Sequence, residues 1–244
     1  HAGHRIDIAA IPTGRFTMDL ASEHSTLKTL PANLIGARMV VRRHLRLADV
    51  FPTTLLGGAS SVQADQVLFH TGSGWETHWL LKAGSLLRWV RSGDSTLADS
   101  SATIIPPGTG VMVRVRGPGL SRFHTGHVRT SPFRRPLRPG NNLLAAPWPL
   151  DGTPAGWLLH PANGFTASTG PTISDQLQIW NGTSYDGYWL ARLGSSIRWI
   201  SQASSNLTDV STALLLPARG AFFLKAQPGT TTWDIAPPQP APPL

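Results

Sequence analysis

Residues 65–119 read DQVLFHTGSGWETHWLLKAGSLLRWVRSGDSTLADSSATIIPPGTGVMVRVRGPG, and residues 175–229 read DQLQIWNGTSYDGYWLARLGSSIRWISQASSNLTDVSTALLLPARGAFFLKAQPG. The two stretches align at a constant offset of 110 without a gap and are identical at 17 of 55 positions. Asp65/Asp175, Trp79/Trp189, Gly84/Gly194, Trp89/Trp199 and Asp99/Asp209 are among the identities. Self-similarity at one fixed spacing marks a repeated structural unit, so an internal duplication is predicted. Within each copy the residues read as strands. Val67-Leu68-Phe69 runs into Thr71-Gly72-Ser73-Gly74, a hairpin turn signal. Trp75 to Leu81 returns, Ala83-Gly84-Ser85 turns again, and Leu86 to Val90 follows. Val111 to Arg116 alternates with period two, as a half-buried strand does.

Outside the copies, Gly14 to Leu20 and Ala37 to Arg42 also suit strands, and residues 120–140 are rich in Arg, Pro and Gly. The predicted fold is all-β: two tandem antiparallel β-sandwich or barrel-like modules from an internal duplication. The first module spans residues 1–120, an Arg/Pro-rich connector 121–140, the second module 141–235, and a Pro-rich tail 236–244 in polyproline II. Composition agrees. In 244 residues, 24 Gly and 21 Pro argue for many short elements and against helical bundles. An apolar share of 41% permits a real core. No apolar run approaches the roughly 18 residues of a membrane-spanning helix. The lack of Cys excludes disulfides, cysteine–zinc sites and thiol nucleophiles. Scarce Lys with plentiful Ser, Thr, Gly, Pro and Trp points to an extracellular or cell-surface location, and His1 in place of Met reads as a processed or truncated start.

Asp49-Val50-Phe51-Pro52, Trp79-Leu80, Leu87-Arg88-Trp89-Val90, Ile104-Ile105-Pro106-Pro107 and Val113-Arg114-Val115 follow one another in a pattern. It resembles a family of uncharacterised exported proteins found in many paralogous copies in Verrucomicrobia. The resemblance covers residues 10–116, and the second copy more loosely. It implies a β-rich exported protein and supplies no catalytic residues.

The net charge of +8 is concentrated. Between Asp99 and Asp151 there is no acidic residue, while Arg114, Arg116, Arg122, Arg129, Arg134, Arg135 and Arg138 all lie there. Such a run suits an acidic polysaccharide or a cell surface as partner, or a solvated connector. No nucleic-acid motif accompanies it, so specific nucleic-acid binding is not expected. The pairs His1/His4 and His124/His127 have a spacing that could ligate a metal. At a processed terminus His1 could chelate copper through its amine and ring. Neither pair has supporting context, so no metal or other cofactor is predicted. Hydrolase signatures are missing too. Asp65/Asp175 and Asp99/Asp209 sit at strand starts or turns, where a bond to turn backbone is the simpler role. No catalytic residue is assigned, and the chain is not read as an enzyme.

Trp79, Trp89, Trp189 and Trp199 are expected in the core because both copies keep them. The exposed aromatic candidates are those that differ: Trp75 against Tyr185, His78 against Tyr188, and His70 against Trp180. At the offset of 110, Met112, Arg114 and Arg116 correspond to Phe222, Leu224 and Ala226, so a basic face is matched by an apolar one. Phe222 and Leu224 are therefore expected to be covered from outside their module, by another copy of the chain, by the other module or by a terminal strand carrying Ile6, Ile8 and Ile11. The favoured function is a structural one: an exported homopolymer subunit of an extracellular filament, sheath or surface layer. The alternative is a carbohydrate-binding module or carbohydrate-active enzyme.

Overall fold

A computed structural model describes residues 6–11, 13, 15–20, 25–27, 29–30, 32, 41, 43–51, 55–117, 132–146, 148, 150–217 and 220–235. In chain order the strands are β1 (Asp7–Ala10), β2 (Thr17–Asp19), β3 (Leu45–Arg46), β4 (Gln66–His70), β5 (Trp75–Ala83), β6 (Leu86–Arg91), β7 (Ile104–Ile105) and β8 (Val111–Arg114). They continue with β9 (Phe133–Pro136), β10 (Gly140–Ala145), β11 (Gln176–Trp180), β12 (Tyr185–Leu193), β13 (Ser196–Ser201), β14 (Ala221–Ala226) and β15 (Thr232–Ile235). Among the described residues, helix is confined to Leu47–Val50 and two 3-10 turns. The fold is all-β, with antiparallel sheets, and no described helix is long and apolar enough to cross a membrane.

The first unit is a sheet in the order β6-β5-β4-β8. The second has the order β13-β12-β11-β14, with β10 added beyond β14. Gly84 and Gly194 open the β5–β6 and β12–β13 turns at φ +61° and +63°, a left-handed conformation that glycine adopts without steric cost. Alternation then sorts side chains onto two faces. One face of the first sheet holds Val67, Leu80 and Trp89 against Leu47 and Leu55. The matching face of the second holds Leu177, Leu190, Trp199, Phe222 and Leu224 against Trp157, Trp233 and Phe133. The opposite faces carry smaller clusters, Trp79 with Leu81 and Val90, and Trp189 with Ala191 and Ile200.

All four expected core tryptophans are buried. Trp89 Nε1 donates to the Phe51 carbonyl at 2.9 Å and Trp199 Nε1 to the Leu159 carbonyl at 2.8 Å, so neither indole loses a hydrogen bond by burial. The repeated aspartates bond to backbone. Asp65 accepts from Leu56 N–H at 2.9 Å and Arg116 N–H at 2.7 Å. Asp175 accepts from Thr166 N–H at 2.9 Å and Gln227 N–H at 2.7 Å. Each carboxyl ties the incoming loop to the chain leaving the last strand of its sheet. Asp99 and Asp209 each cap a turn through Ser101 N–H and Ser211 N–H.

Two expectations are corrected. Gln66 pairs with Arg114, but Gln176 pairs with Lys225, so the last strands correspond at one residue more than the offset of 110. Phe222 thus matches Val111, and Leu224 matches Val113. A slip of one residue exchanges the two faces. Phe222 and Leu224 lie in their own unit's core, fully buried, and need no cover from outside. The connector assigned to 121–140 is also shorter. Phe133–Pro136 is β9, which pairs with β15, and Gly140 opens β10. Phe133 and Leu137, on either side of Arg134-Arg135-Pro136, are core residues, while the three between them are half-buried. Residues 121–131, the strand expected over Ala37 to Arg42 apart from Val41, and the tail 236–244 lie outside the described residues.

The two units meet edge to edge. Thr109 and Leu144 form an antiparallel bridge, Gly110 N–H donates to Leu143 O at 3.1 Å, and Ala145 N–H donates to Gly108 O at 3.0 Å. A Cβ on Gly110 would lie 2.7 Å from Ala221 Cβ and 2.8 Å from Leu143 Cγ, closer than carbon atoms pack. Glycine is what permits this approach.

Candidate functional site

The site follows from alternation in β4, β5 and β8. Leu68 and His70, Trp75 and Thr77, and Met112 and Arg114 share the face opposite the main core. At the hairpin mouth His70 is paired with Trp75 across β4 and β5, and Trp180 with Tyr185 across β11 and β12. Such cross-strand pairs bring rings together, with centroids 5.1 Å apart in both cases.

Between His70 on β4 and Phe223 on β14 lie β8 and β10. In a flat sheet the two would be about 14 Å apart at the usual strand spacing. Their ring centroids are 5.1 Å apart. The sheets therefore bend sharply where they join, and their faces turn toward one another. The result is an open cleft of about 600 Å³. Asn141, Tyr185 and Phe223 form its wall from the second unit. A continuous row of rings crosses it: Trp75 to Phe223 at 6.1 Å, Phe223 to Tyr185 at 5.6 Å, and Tyr185 to Trp180 at 5.1 Å. Trp75, Tyr185 and Trp180 are 41%, 41% and 51% exposed.

The polar groups of the cleft are few. Arg114 Nη1 donates to Gln66 Oε1 at 3.0 Å, and Gln66 Nε2 is itself held by the Ser61 carbonyl. His70 Nδ1 accepts from Gly72 N–H at 3.2 Å, and burial pushes the imidazole below its ordinary pKa, keeping it neutral at physiological pH. Asn141 Oδ1 has no hydrogen-bond partner. None of the described residues lining the cleft is a carboxylate.

Of the aromatic candidates read from the sequence, Trp75, Tyr185, His70 and Trp180 come together here. His78 does not. It is buried on the core face, since period two places it with Leu80. There Nε2 bonds Glu76 Oε1 at 2.8 Å and Nδ1 bonds Ser100 Oγ at 2.9 Å, while Glu76 Oε2 pairs with Arg91. Hydroxyl, imidazole and carboxylate in that order resemble a hydrolase triad. The Ser100 N–H, however, is spent on the Trp89 carbonyl and the Ser101 N–H on Asp99, so neither can serve an oxyanion. The group reads as a satisfied polar network under Phe69, whose ring meets His78 edge-on at 5.4 Å. Phe223 was not singled out from the sequence, because its role depends on the bend between units.

The described arginines of the run take different partners. Arg134 pairs with Asp234, and Arg135 Nη1 donates to the Pro107 carbonyl and Thr109 Oγ1 at the junction. Arg138 Nη1 reaches the Thr71 carbonyl at 3.5 Å. Arg114 lines the cleft and Arg116 is exposed. Arg122, Arg129, His1, His4, His124 and His127 lie outside the described residues. Ile6 and Ile8 are half-buried, and Ile11 is exposed. Comparisons with protein-family models, with curated proteins and with solved structures find no match.

Proposed function

We propose that the chain is an exported glycan-binding protein that holds an extended polysaccharide across the cleft between its two units. The observation that carries this reading is the row of rings from Trp75 through Phe223 and Tyr185 to Trp180, three of them exposed. Exposed aromatic surface gathered in a concave site is the usual mark of ligand recognition. The C–H face of a pyranose is apolar and matches the face of an indole, while its hydroxyls suit Asn141, Thr77 and Arg114 around the rings. Rings spaced 5–6 Å apart over three steps favour a chain over a single sugar. Retention on a glycan array and on insoluble polysaccharides tests the reading. Wild type should be retained and a Trp75→Ala/Trp180→Ala variant should not. A wild-type protein that binds no glycan would overturn it.

A second reading, a subunit of an extracellular filament, sheath or surface layer, is favoured by β1 and β2. They form a ribbon paired only with each other among the described residues, and Ile11 beside it is 73% exposed. A two-stranded ribbon is marginal alone and gains from a further strand. Sedimentation velocity tests this: an Ile11→Ser change should lower the mass of any assembly, and a wild-type monomer at all concentrations would rule it out.

A further inference from the structure

We infer that the polysaccharide is a uronate polymer, with Arg114 as the residue that selects its carboxylate; this rests on the glycan-binding reading above. Among the described residues lining the cleft, Arg114 is the one cation. Arg114 extends from β8 on the aromatic face, and its guanidinium is oriented by Gln66, which is anchored in turn by Ser61. A chain of two hydrogen bonds therefore sets the guanidinium before any ligand arrives. Arginine offers five donors in a planar fork, and only Nη1 is engaged by Gln66. The remaining donors suit the two oxygens of a carboxylate, the geometry in which arginine is strongest.

Three further observations agree. None of the described lining residues is acidic, so an anion meets no opposing charge within the cleft. The whole chain carries +8, which draws a polyanion toward it. Arg114 and Trp75 line the same cleft, so one sugar can stack while its carboxylate, or a neighbour's, is bound. The second unit differs at the matching place. Gln176 Oε1 there accepts from Gln202, and Lys225 stands where Arg114 does. Selection is thus built on one wall of the cleft. A phosphodiester strand would call for a row of cations, and the described residues of the cleft lining hold a single arginine and a neutral imidazole.

The test is calorimetric titration of the full chain with oligogalacturonate, oligomannuronate and oligoguluronate, each against its own methyl ester. The ester keeps the sugar faces and removes the charge. At least one free acid should bind about tenfold or more tighter than its ester, as a charge-assisted hydrogen bond is worth. Arg114→Gln should abolish that preference by weakening the acid about tenfold more than the ester, Arg114→Lys should restore part of it, and Trp75→Ala should weaken both forms. Thermal melts check that the variants fold. Equal binding of acid and ester, or an unchanged preference in Arg114→Gln, overturns the uronate inference and leaves glycan binding intact. Binding of neutral glycans but no uronate does the same. Binding of no glycan at all overturns both. Displacement of bound uronate by equimolar single-stranded oligonucleotide also overturns it.

Discussion

His70 and Phe223 meet edge to face, with ring centroids 5.1 Å apart at 78°, although they belong to different sheets that meet at the Thr109–Leu144 bridge. This contact makes a cleft out of two surfaces that would otherwise face solvent separately. It also ties the aromatic row to the geometry of the junction.

The junction should be sensitive at Gly110. Gly110→Val places atoms where Ala221 and Leu143 already stand, so the edges must part. Overpacking of this kind costs about 1–3 kcal/mol. Glycan retention should fall while both sheets persist, measured as binding lost at unchanged far-ultraviolet circular dichroism. Full retention in Gly110→Val would show that the cleft does not depend on this approach.

The core tryptophans should be costly to remove. Trp89→Ala and Trp199→Ala should each lose about 3–5 kcal/mol in urea unfolding. Trp199→Phe keeps much of the packing but leaves the Leu159 carbonyl without its indole donor, adding about 1 kcal/mol to the loss of volume. Changes below about 1 kcal/mol for either Ala variant would contradict their burial.

Phe222→Ser and Leu224→Ser should unfold the second unit, because both side chains are fully buried in its core, Phe222 against Trp157 and Trp233. Met112→Ser, on the exposed cleft face, should change stability by about 0.5 kcal/mol or less. Soluble, folded Phe222→Ser protein would place that side chain outside the core.

Asp175 sets a pH dependence. Burial pushes its carboxyl above the ordinary value, against the opposing pull of Thr230 Oγ1, Gln227 N–H and Thr166 N–H. The folded protein then holds this proton to higher pH than the unfolded chain. Between the two pKa values the native state binds more protons, so this contribution is full below the unfolded value and declines as pH rises through the folded one. Asp175→Asn cannot titrate. The stability of wild type relative to Asp175→Asn should therefore be greatest below the ordinary carboxylate range and shrink as pH rises above it, followed by urea midpoints. A difference that grows with pH would reverse the assignment.

The strands, the buried tryptophans and the turn-binding aspartates were legible because each depends on local alternation or on a residue kept in both copies. The outward placement expected of Phe222 fails for a local reason as well. Pro107/Pro217 and Gly110/Gly220 look like matches, yet the loop before β14 is one residue longer than its counterpart before β8, and the true partner of Gly110 is Ala221. His78 could have been placed by its distance of two from Leu80. The cleft itself could not. Trp75, Tyr185 and Trp180 were marked by differing between copies, but their convergence with Phe223 arises from a bend that no periodicity encodes.

A cleft with one wall on each unit has a thermodynamic consequence. Neither unit alone presents the whole row of rings, so a ligand binds only where both are folded and docked. By mass action, bound ligand then stabilises the two units together, by an amount that rises with its concentration over its dissociation constant. On the proposed glycan-binding reading, saturating glycan should draw the unfolding of the two units into one transition, making the two halves of the chain a single cooperative unit.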